Sequence, residues 1–427
     1  MDNFVKIKQI LALDRTIFLK IKENIHNYNI SRDDSGLKKF WLFAESLGEF
    51  KLALYIIDII NSILEKNNNK NKPLFFISFK TSSTYTIAKK ILNSSGNFNN
   101  INIIYFFHPT SIFKKFLRRY IFTIKPDYFI SIEHLVSNNL INELLKINTK
   151  ICFLDINPIF LKKINIKSTK YSANIFITIS KTVSLNSLDK SFKITVLSDL
   201  LKFNSGFDNK RHRNNAEVKY HSNLVISFVS IHKNESKFIF KMIKEITLDK
   251  DLNQNHNLKF IFAPRNIKIS SKLFKIASNL NLKPIYLKNI NDSDICEGFL
   301  KNNSFKSLIV NDYGSLDSVY PLSDIVYVGK SLYESERGGH NILEPASFGK
   351  AIMTGSYASN FQDIILDMLK NNAVTVITER DFKNTLCKLI NDDKFRQNIG
   401  LNALRYYLKK RDRSKEVLMN YLSANFI

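Results

Sequence analysis

Residues 328–361 read VGKSLYESERGGHNILEPASFGKAIMTGSYASNF. The apolar tetrapeptide Ile325–Val328 has the composition of a buried strand, and Ala351–Met353 that of a second. Between them lie a polar, glycine-bearing loop and a helical segment that ends at Gly349. Strand, loop, helix and strand make the βα unit of a parallel sheet, whose loops meet ligands at the carboxyl ends of the strands. Gly338-Gly339 permits positive φ and close backbone approach. Asn341 followed three residues later by Glu344 has the form of a capping box, and Pro345 fits only in the first helical turn. A helix opening there would aim free N–H groups and its positive dipole end into the loop, as an anion site requires. An ordinary capped helix explains the same spacing equally well, and spacing does not name the anion.

Working outward, the same alternation runs through the chain. Lys39–Ala44 (KFWLFA) reads as a strand, and after Glu45-Ser46-Leu47-Gly48 a helical pattern begins at Glu49. Strands are predicted at Leu74–Ser78, Ile101–Phe106, Tyr128–Ile132, Ile151–Asp155, Ile175–Ile179 and Lys193–Val196, with helices between the earlier ones. Asn204–Tyr220 is polar, basic and aperiodic, which suits a domain boundary. Beyond it come strands at Leu224–Val229, Leu258–Phe262, Pro284–Tyr286, Ser307–Val310 and Val374–Ile377, then helices over Lys394–Lys409 and Ser414–Ala424. The expected fold class is α/β, with two doubly wound Rossmann-like domains facing across a cleft. The expected division is an amphipathic helix in 1–30, a first domain 31–205, a linker 206–221, a second domain 222–400 and C-terminal helices 401–427.

Lys and Arg number 63 against 38 Asp and Glu, a net charge of +25 that favours anionic partners. From Phe4 to Ile25 apolar residues at helical spacing interleave with lysines and an arginine. Such a helix can lie in a membrane interface or pack on its own domain. Cys152, Cys296 and Cys387 stand far apart, which argues for a reduced compartment and against a disulfide framework. No signal-peptide pattern or membrane-spanning apolar run is present, so a cytoplasmic placement is expected.

Glu49 is the best candidate for a reacting group, because a carboxylate in a first helical turn is kept ionised and could take a proton from a hydroxyl. First turns also carry acidic residues for purely structural reasons. Glu133 and His134 follow the strand Tyr128–Ile132 at the same expected sheet edge. Ser230, His232 and Glu235 follow the first strand of the second domain, where they cap a helix or meet a ligand. Arg265, after Pro264, suits a phosphate or carboxylate. The chain has no GxxxxGK[ST], GxGxxG after a strand, GxSxG, HExxH or Cys/His cluster, which argues against a P-loop NTPase, a dehydrogenase, an α/β hydrolase and a zinc enzyme. Its basic residues form no RNA-binding motif, and no nucleic-acid partner is expected.

Two segments resemble the 3-deoxy-D-manno-octulosonic acid (Kdo) transferases. The 328–361 stretch is similar to that family's donor signature through VGxSL, ERGGHNxLEPAxFGK and a final NF, and FWLFAESLGEFKLA (Phe40–Ala53) is similar to its strand-SxGE signature. Weaker matches lie between them in the same order, at Thr81-Ser82-Ser83, Lys125-Pro126-Asp127 with Glu133, Lys202-Phe203, Ser230 with His232 and Glu235, and Pro264-Arg265. The resemblance implies a GT-B glycosyltransferase, acceptor domain first and nucleotide-sugar domain second. It would move Kdo from CMP-Kdo to a phosphorylated lipid A precursor with inversion, using no metal and no cofactor. Glu49 would be the general base, with Ser46, Gly48, Glu133 and Lys202 on the acceptor side or in support. Glu344 would hold the ribose, Gly338, Gly339, His340 and Asn341 the phosphate or the Kdo carboxylate, and Arg265 the departing phosphate, with Ser230 and His232 also on the donor side. The lipid acceptor would place the protein at the cytoplasmic leaflet of a bacterial inner membrane and give the +25 charge a purpose.

The chain departs from the family in a longer Leu332–Gly338 loop, in Gly314-Ser315-Leu316 where the family has Gly-Glu-Leu, and in lacking Trp-Pro after Glu133 and an arginine after Asn157. The rival readings are another GT-B transferase or a nucleotide-sugar epimerase using a UDP- or GDP-sugar, and a basic membrane- or nucleic-acid-binding protein whose transferase site has decayed.

Overall fold

The computed structural model describes residues 18, 19, 21, 23, 37–66, 72–94, 101–109, 114–156, 174–179, 193–196, 202–203, 223–249, 252, 256–288, 293–336 and 338–425. The linker at 206–221 and most of the Phe4–Ile25 stretch lie outside them. The chain forms two compact units, Met1–Phe207 with Arg411–Ile427, and Asp208–Lys410.

In the first unit β1 (Lys39–Ala44), β2 (Leu74–Phe79), β3 (Asn102–Phe107), β4 (Tyr128–Ile132), β5 (Lys150–Leu154), β6 (Ile175–Ile179) and β7 (Lys193–Val196) form one sheet. Its order is β3-β2-β1-β4-β5-β6-β7, and every pairing is parallel. Helices α1 (Leu47–Lys66), α2 (Ser82–Ser94), α3 (Lys114–Ile124) and α4 (Asn138–Leu145) connect the earlier strands. β1 and β2 are apolar at nearly every position because both faces of a parallel sheet are covered. Alternate residues serve opposite faces. Phe40, Leu42, Phe75, Ile77 and Ile130 join α1 in one core, whereas Trp41, Phe43, Phe76 and Phe129 join Leu117, Tyr120 and Leu140 in the other. Ser78 is the polar exception in β2, and it accepts the Trp41 indole N–H at 2.8 Å.

The second unit has β8 (Asn223–Ile231), α5 (Lys233–Leu248), β9 (Asn257–Pro264), α6 (Ser270–Asn279), β10 (Pro284–Leu287), α7 (Ser293–Lys301), β11 (Ser307–Val310) and α8 (Leu316–Val319). After these come β12 (Ile325–Val328), α9 (Leu343–Ser347), β13 (Ala351–Gly355), α10 (Gln362–Lys370), β14 (Thr375–Ile377), α11 (Phe382–Asn391) and α12 (Asp393–Asn425). Its sheet is also parallel throughout, in the order β10-β11-β9-β8-β12-β13-β14. Both units are therefore doubly wound α/β sheets.

The two C-terminal helices read from the sequence are one continuous helix, α12, since Arg411-Asp412-Arg413 contains no breaker. From Arg411 onward it belongs to the first unit, where Leu418, Tyr421 and Leu422, one helical turn apart, enter the α1-side core. At the other end of the chain, Phe18, Leu19, Ile21 and Glu23 are helical. Ile21 is buried in the core beside α3, and Phe18 meets Tyr120 edge-on at 5.9 Å.

Each strand order places one switch point where the chain leaves in opposite directions, between β1 and β4 in the first unit and between β8 and β12 in the second. Ligands of doubly wound sheets bind outside the carboxyl ends of those strands.

Candidate functional site

At the first switch point Glu49 lies in the opening turn of α1 and is 3% exposed. The Ser46 hydroxyl accepts the Glu49 N–H at 3.2 Å, and Glu49 Oε2 accepts the Glu45 N–H at 2.7 Å. The first bond caps the start of α1, and the second ties the carboxylate to the segment that leads into it. The carboxylate thus has a structural duty through one oxygen, while Oε1 faces His134 Nδ1 at 3.3 Å. That is ion-pair range without good hydrogen-bond alignment, since Nδ1 is buried and lacks a well-directed partner. Gly48 is not sterically required, because a Cβ there would meet only Ser46 Oγ, at 3.8 Å.

The β4 exit supplies Glu133 and His134 on a strained turn. Glu133 has φ 58°, a left-handed conformation that non-glycine residues adopt at a cost of about 1–3 kcal/mol. Burial, reinforced by the charges of Asp155 and Glu49, pushes its carboxyl up to about 7, against a smaller opposing pull from His134 and Lys202. The β2 exit adds Lys80, which pairs with Glu45 at 2.7 Å, and Thr84, whose hydroxyl donates to the Glu45 carbonyl at 3.2 Å. This edge therefore gathers carboxylates from three strand ends, with Lys80, His134 and Lys202 among them.

At the second switch point the β8 ladder is irregular around Ser230, which has φ 55°. Such a bulge turns the strand end outward. Glu235, fully buried in the first turn of α5, holds the β12 exit in place. Its Oε1 accepts the Ser331 and Leu332 N–H groups at 3.1 and 3.3 Å and the Tyr327 hydroxyl at 3.0 Å. Its Oε2 accepts the Lys330 and His232 N–H groups at 2.8 and 3.3 Å. So Glu235 caps its helix and clamps the neighbouring loop with the same carboxylate.

His232 and His340 stack at 5.3 Å with their Nε2 atoms 3.0 Å apart. Burial, with the positive charges of Arg265 and Lys330 and the neighbouring His232 ring, pulls His340 down to about 3, so its ring is neutral. Among the described residues neither the exposed Arg265 side chain nor the half-buried Lys330 ammonium has an acidic partner. Two uncompensated cations around a neutral imidazole make this edge electropositive, a setting that favours negative charge.

The glycine loop differs from expectation in its details. Gly338 and Gly339 have φ 141° and 69°, and a Cβ on Gly339 would meet the Ala358 Cβ at 2.7 Å, so its small size is obligatory. Their N–H groups, however, already donate to the carbonyls of Tyr357 and Lys330 at 2.9 and 2.8 Å. The capping box read between Asn341 and Glu344 does not form. α9 begins at Leu343 after Ile342, and Asn341 Oδ1 accepts the Leu343 N–H at 3.0 Å, a tighter local turn that the short asparagine side chain favours. Glu344 instead accepts the Tyr320 hydroxyl at 3.1 Å. Pro345 does lie in the first turn of α9.

Sequence reasoning missed Lys330, which carries no motif of its own and gains its place through a left-handed backbone at φ 63° beside the glycine pair. It also missed the reach of Glu235 to β12, because the partners are backbone N–H groups more than ninety residues away. Among the described residues no group of three or more His, Cys, Asp and Glu side chains is arranged to hold a metal ion.

No protein-family model matches the chain. It is 26% identical over 389 residues to a bifunctional glycosyltransferase/methyltransferase of Fusobacterium nucleatum, covering 87% of this chain and 56% of that protein, so the chain spans just over half of that relative. It is 26% identical over 400 residues to the 3-deoxy-D-manno-octulosonic acid transferase of Rickettsia prowazekii, covering 90% of this chain and 78% of the relative. In structure it is similar to a glycosyltransferase from Rickettsia africae, with a TM-score of 0.54, 12% identity and coverage of 91% and 98% of the two chains. By sequence the chain is similar to 3-deoxy-D-manno-octulosonic acid transferases, and its fold is the two-sheet α/β fold of GT-B glycosyltransferases.

Proposed function

We propose that the protein transfers Kdo from CMP-Kdo to a hydroxyl of a phosphorylated lipid A precursor, inverting the anomeric centre. The observation that carries this reading is the pair of groups at the two switch points, a buried, oriented carboxylate in one unit and an uncompensated cation pair in the other. Glu49 Oε1 takes the proton of the attacking hydroxyl. Arg265 and Lys330 stabilise the charge that develops on the departing phosphate, the step at which an oxocarbenium-like transition state most needs help. Glu344, positioned by Tyr320, binds the ribose. Ser230, His232 and His340 line the same sheet edge. Ser46 fixes the start of α1, and Glu133 and Lys202 support the acceptor side.

Incubation of the purified protein with CMP-Kdo and a lipid A precursor, read by mass spectrometry, is expected to add the mass of one or more Kdo residues. Calorimetry is expected to show binding of CMP and none of UDP. A preference for UDP would overturn the donor assignment and favour the rival transferase or epimerase. Arg265→Ala should weaken CMP binding roughly tenfold or more, as loss of a charge-assisted contact does.

The acceptor's lipid nature is supported by one surface feature. Phe122 of the basic helix α3 and Leu19, whose neighbours Phe18 and Ile21 pack beside α3, are 58% and 54% exposed, and Arg118 and Arg119 of α3 are also exposed. No helix among the described residues is long and apolar enough to cross a membrane, so attachment through such a patch is interfacial. The double variant Leu19→Ser, Phe122→Ser should float less with vesicles containing anionic lipid than the wild type, with CMP affinity unchanged. Equal flotation would remove this patch from membrane contact.

A further inference from the structure

His134 follows Glu133 at the β4 exit of the first edge. His134 is held from two sides by its own backbone: its N–H donates to the Ile132 carbonyl at 2.7 Å, and its carbonyl accepts the Ser131 hydroxyl at 2.6 Å. The left-handed turn at Glu133 sets up both contacts. The ring then spans two carboxylates, Nδ1 at 3.3 Å from Glu49 Oε1 and Nε2 at 3.5 Å from Glu45 Oε2. Glu45 is anchored in turn by Lys80 at 2.7 Å, and its N–H holds the other oxygen of Glu49 at 2.7 Å.

We propose that His134 is the positioning residue of Glu49, an imidazolium bridge that fixes the rotamer of the carboxylate and separates it from Glu45. This rests on the reading of Glu49 as the base. Both ring nitrogens face carboxylates, so the ring itself is not placed to take the substrate proton. At these ion-pair distances, attraction to both carboxylates at once needs the positive charge that only the protonated imidazole carries. With one proton lost, a single carboxylate can be held and the other is released toward its like-charged neighbour.

The groups facing the ring are Glu45 and Glu49 from the β1 exit and α1, and Glu133 beside it. Lys80 acts through Glu45, while Asp155 and Lys202 act through Glu133. The balance is acidic, and the Glu49 contact first among these raises His134 above the ordinary imidazole value of 6.5, against a lowering by partial burial. A raised folded-state value means that the bridge is complete below the ordinary value and is lost as pH rises through the raised one. Transfer should therefore decline on the alkaline side with the titration of His134.

The test combines kinetics with a readout that needs no turnover. His134→Ala and His134→Gln should each lower kcat by about 10- to 100-fold, the range expected when a reacting group loses its orientation. Donor KM should be unchanged and the alkaline decline absent from both variants. Because the ring is 42% exposed, both should fold, and circular dichroism checks that they do. Independently, the histidine ring signals titrated by NMR should move to lower pH in Glu49→Gln. Unchanged kcat and pH profile in both variants, or a His134 titration indifferent to Glu49→Gln, would overturn the bridge. Full activity in Glu49→Gln together with a shifted titration would instead leave the bridge standing and sink the assignment of Glu49 as base.

Discussion

Glu49→Gln should lower Kdo transfer by about 10²- to 10⁴-fold, the contribution of a positioned general base, while CMP affinity stays at the wild-type value. Glutamine keeps the shape and one carbonyl oxygen, so the Glu45 N–H can still be accepted and α1 remains capped. What it loses is the ability to take a proton and the charge that faces His134. Because the proposed donor groups lie in the other unit, on the β8, β9 and β12 exits, nucleotide binding has no reason to change. Mass-spectrometric transfer rates and calorimetry on the same preparation measure the two quantities. A variant that retains most of its rate would move the base role to Glu133, whose carboxyl, pushed up to about 7, is matched to proton transfer near neutrality.

The second large effect is expected at Glu235, which touches no proposed substrate. Glu235→Ala would leave the N–H groups of His232, Lys330, Ser331 and Leu332 without their acceptor, most of them in a buried loop. Each orphaned donor costs about 1–3 kcal/mol, so a loss of more than about 3 kcal/mol is expected even after some relaxation. The loop has little room to relax. A Cβ on Gly329 would already meet Glu235 Oε2 at 2.8 Å, and the N–H of Gly355 on the far side donates to Ser331 Oγ at 2.8 Å. Glu235→Gln should be nearly as damaging, because both carboxylate oxygens accept and an amide would turn a donor toward a donor. Denaturant midpoints should fall in both variants, and CMP binding should be lost where the loop no longer holds Lys330. A stable Glu235→Ala protein with wild-type CMP affinity would show that the clamp is dispensable.

Much of the framework was legible because its signals are local. Apolar runs such as KFWLFA and LFFISF report strands covered on both faces, and their regular alternation with helical patterns reports parallel sheets. β6, β7 and β12 have the bounds read from the sequence. Where the reading differed, the competing interactions were also local but nearly equal in energy. Asn341 had two turns available to it, and the one using Leu343 N–H replaced the capping box. The sequence pattern predicts helices over Lys394–Lys409 and Ser414–Ala424, yet the polar Arg411-Asp412-Arg413 between them does not end a helix whose apolar face resumes at Leu418.

The sequence by itself determined the two α/β sheets, the residue types at their carboxyl edges and the similarity to Kdo transferases, since all of these follow from composition, period and order along the chain. Only the tertiary structure decided which of those residues work on one another. It brought His134 to Glu49 across eighty-five positions, tied Glu235 to the β12 exit, closed the Gly338 and Gly339 N–H groups into their own loop and left Lys330 and Arg265 without carboxylate partners among the described residues. The reason is physical: a strand or helix period is fixed by neighbours a few residues away, whereas a charge's partner, its burial and its protonation are fixed by whatever the sheet order places beside it.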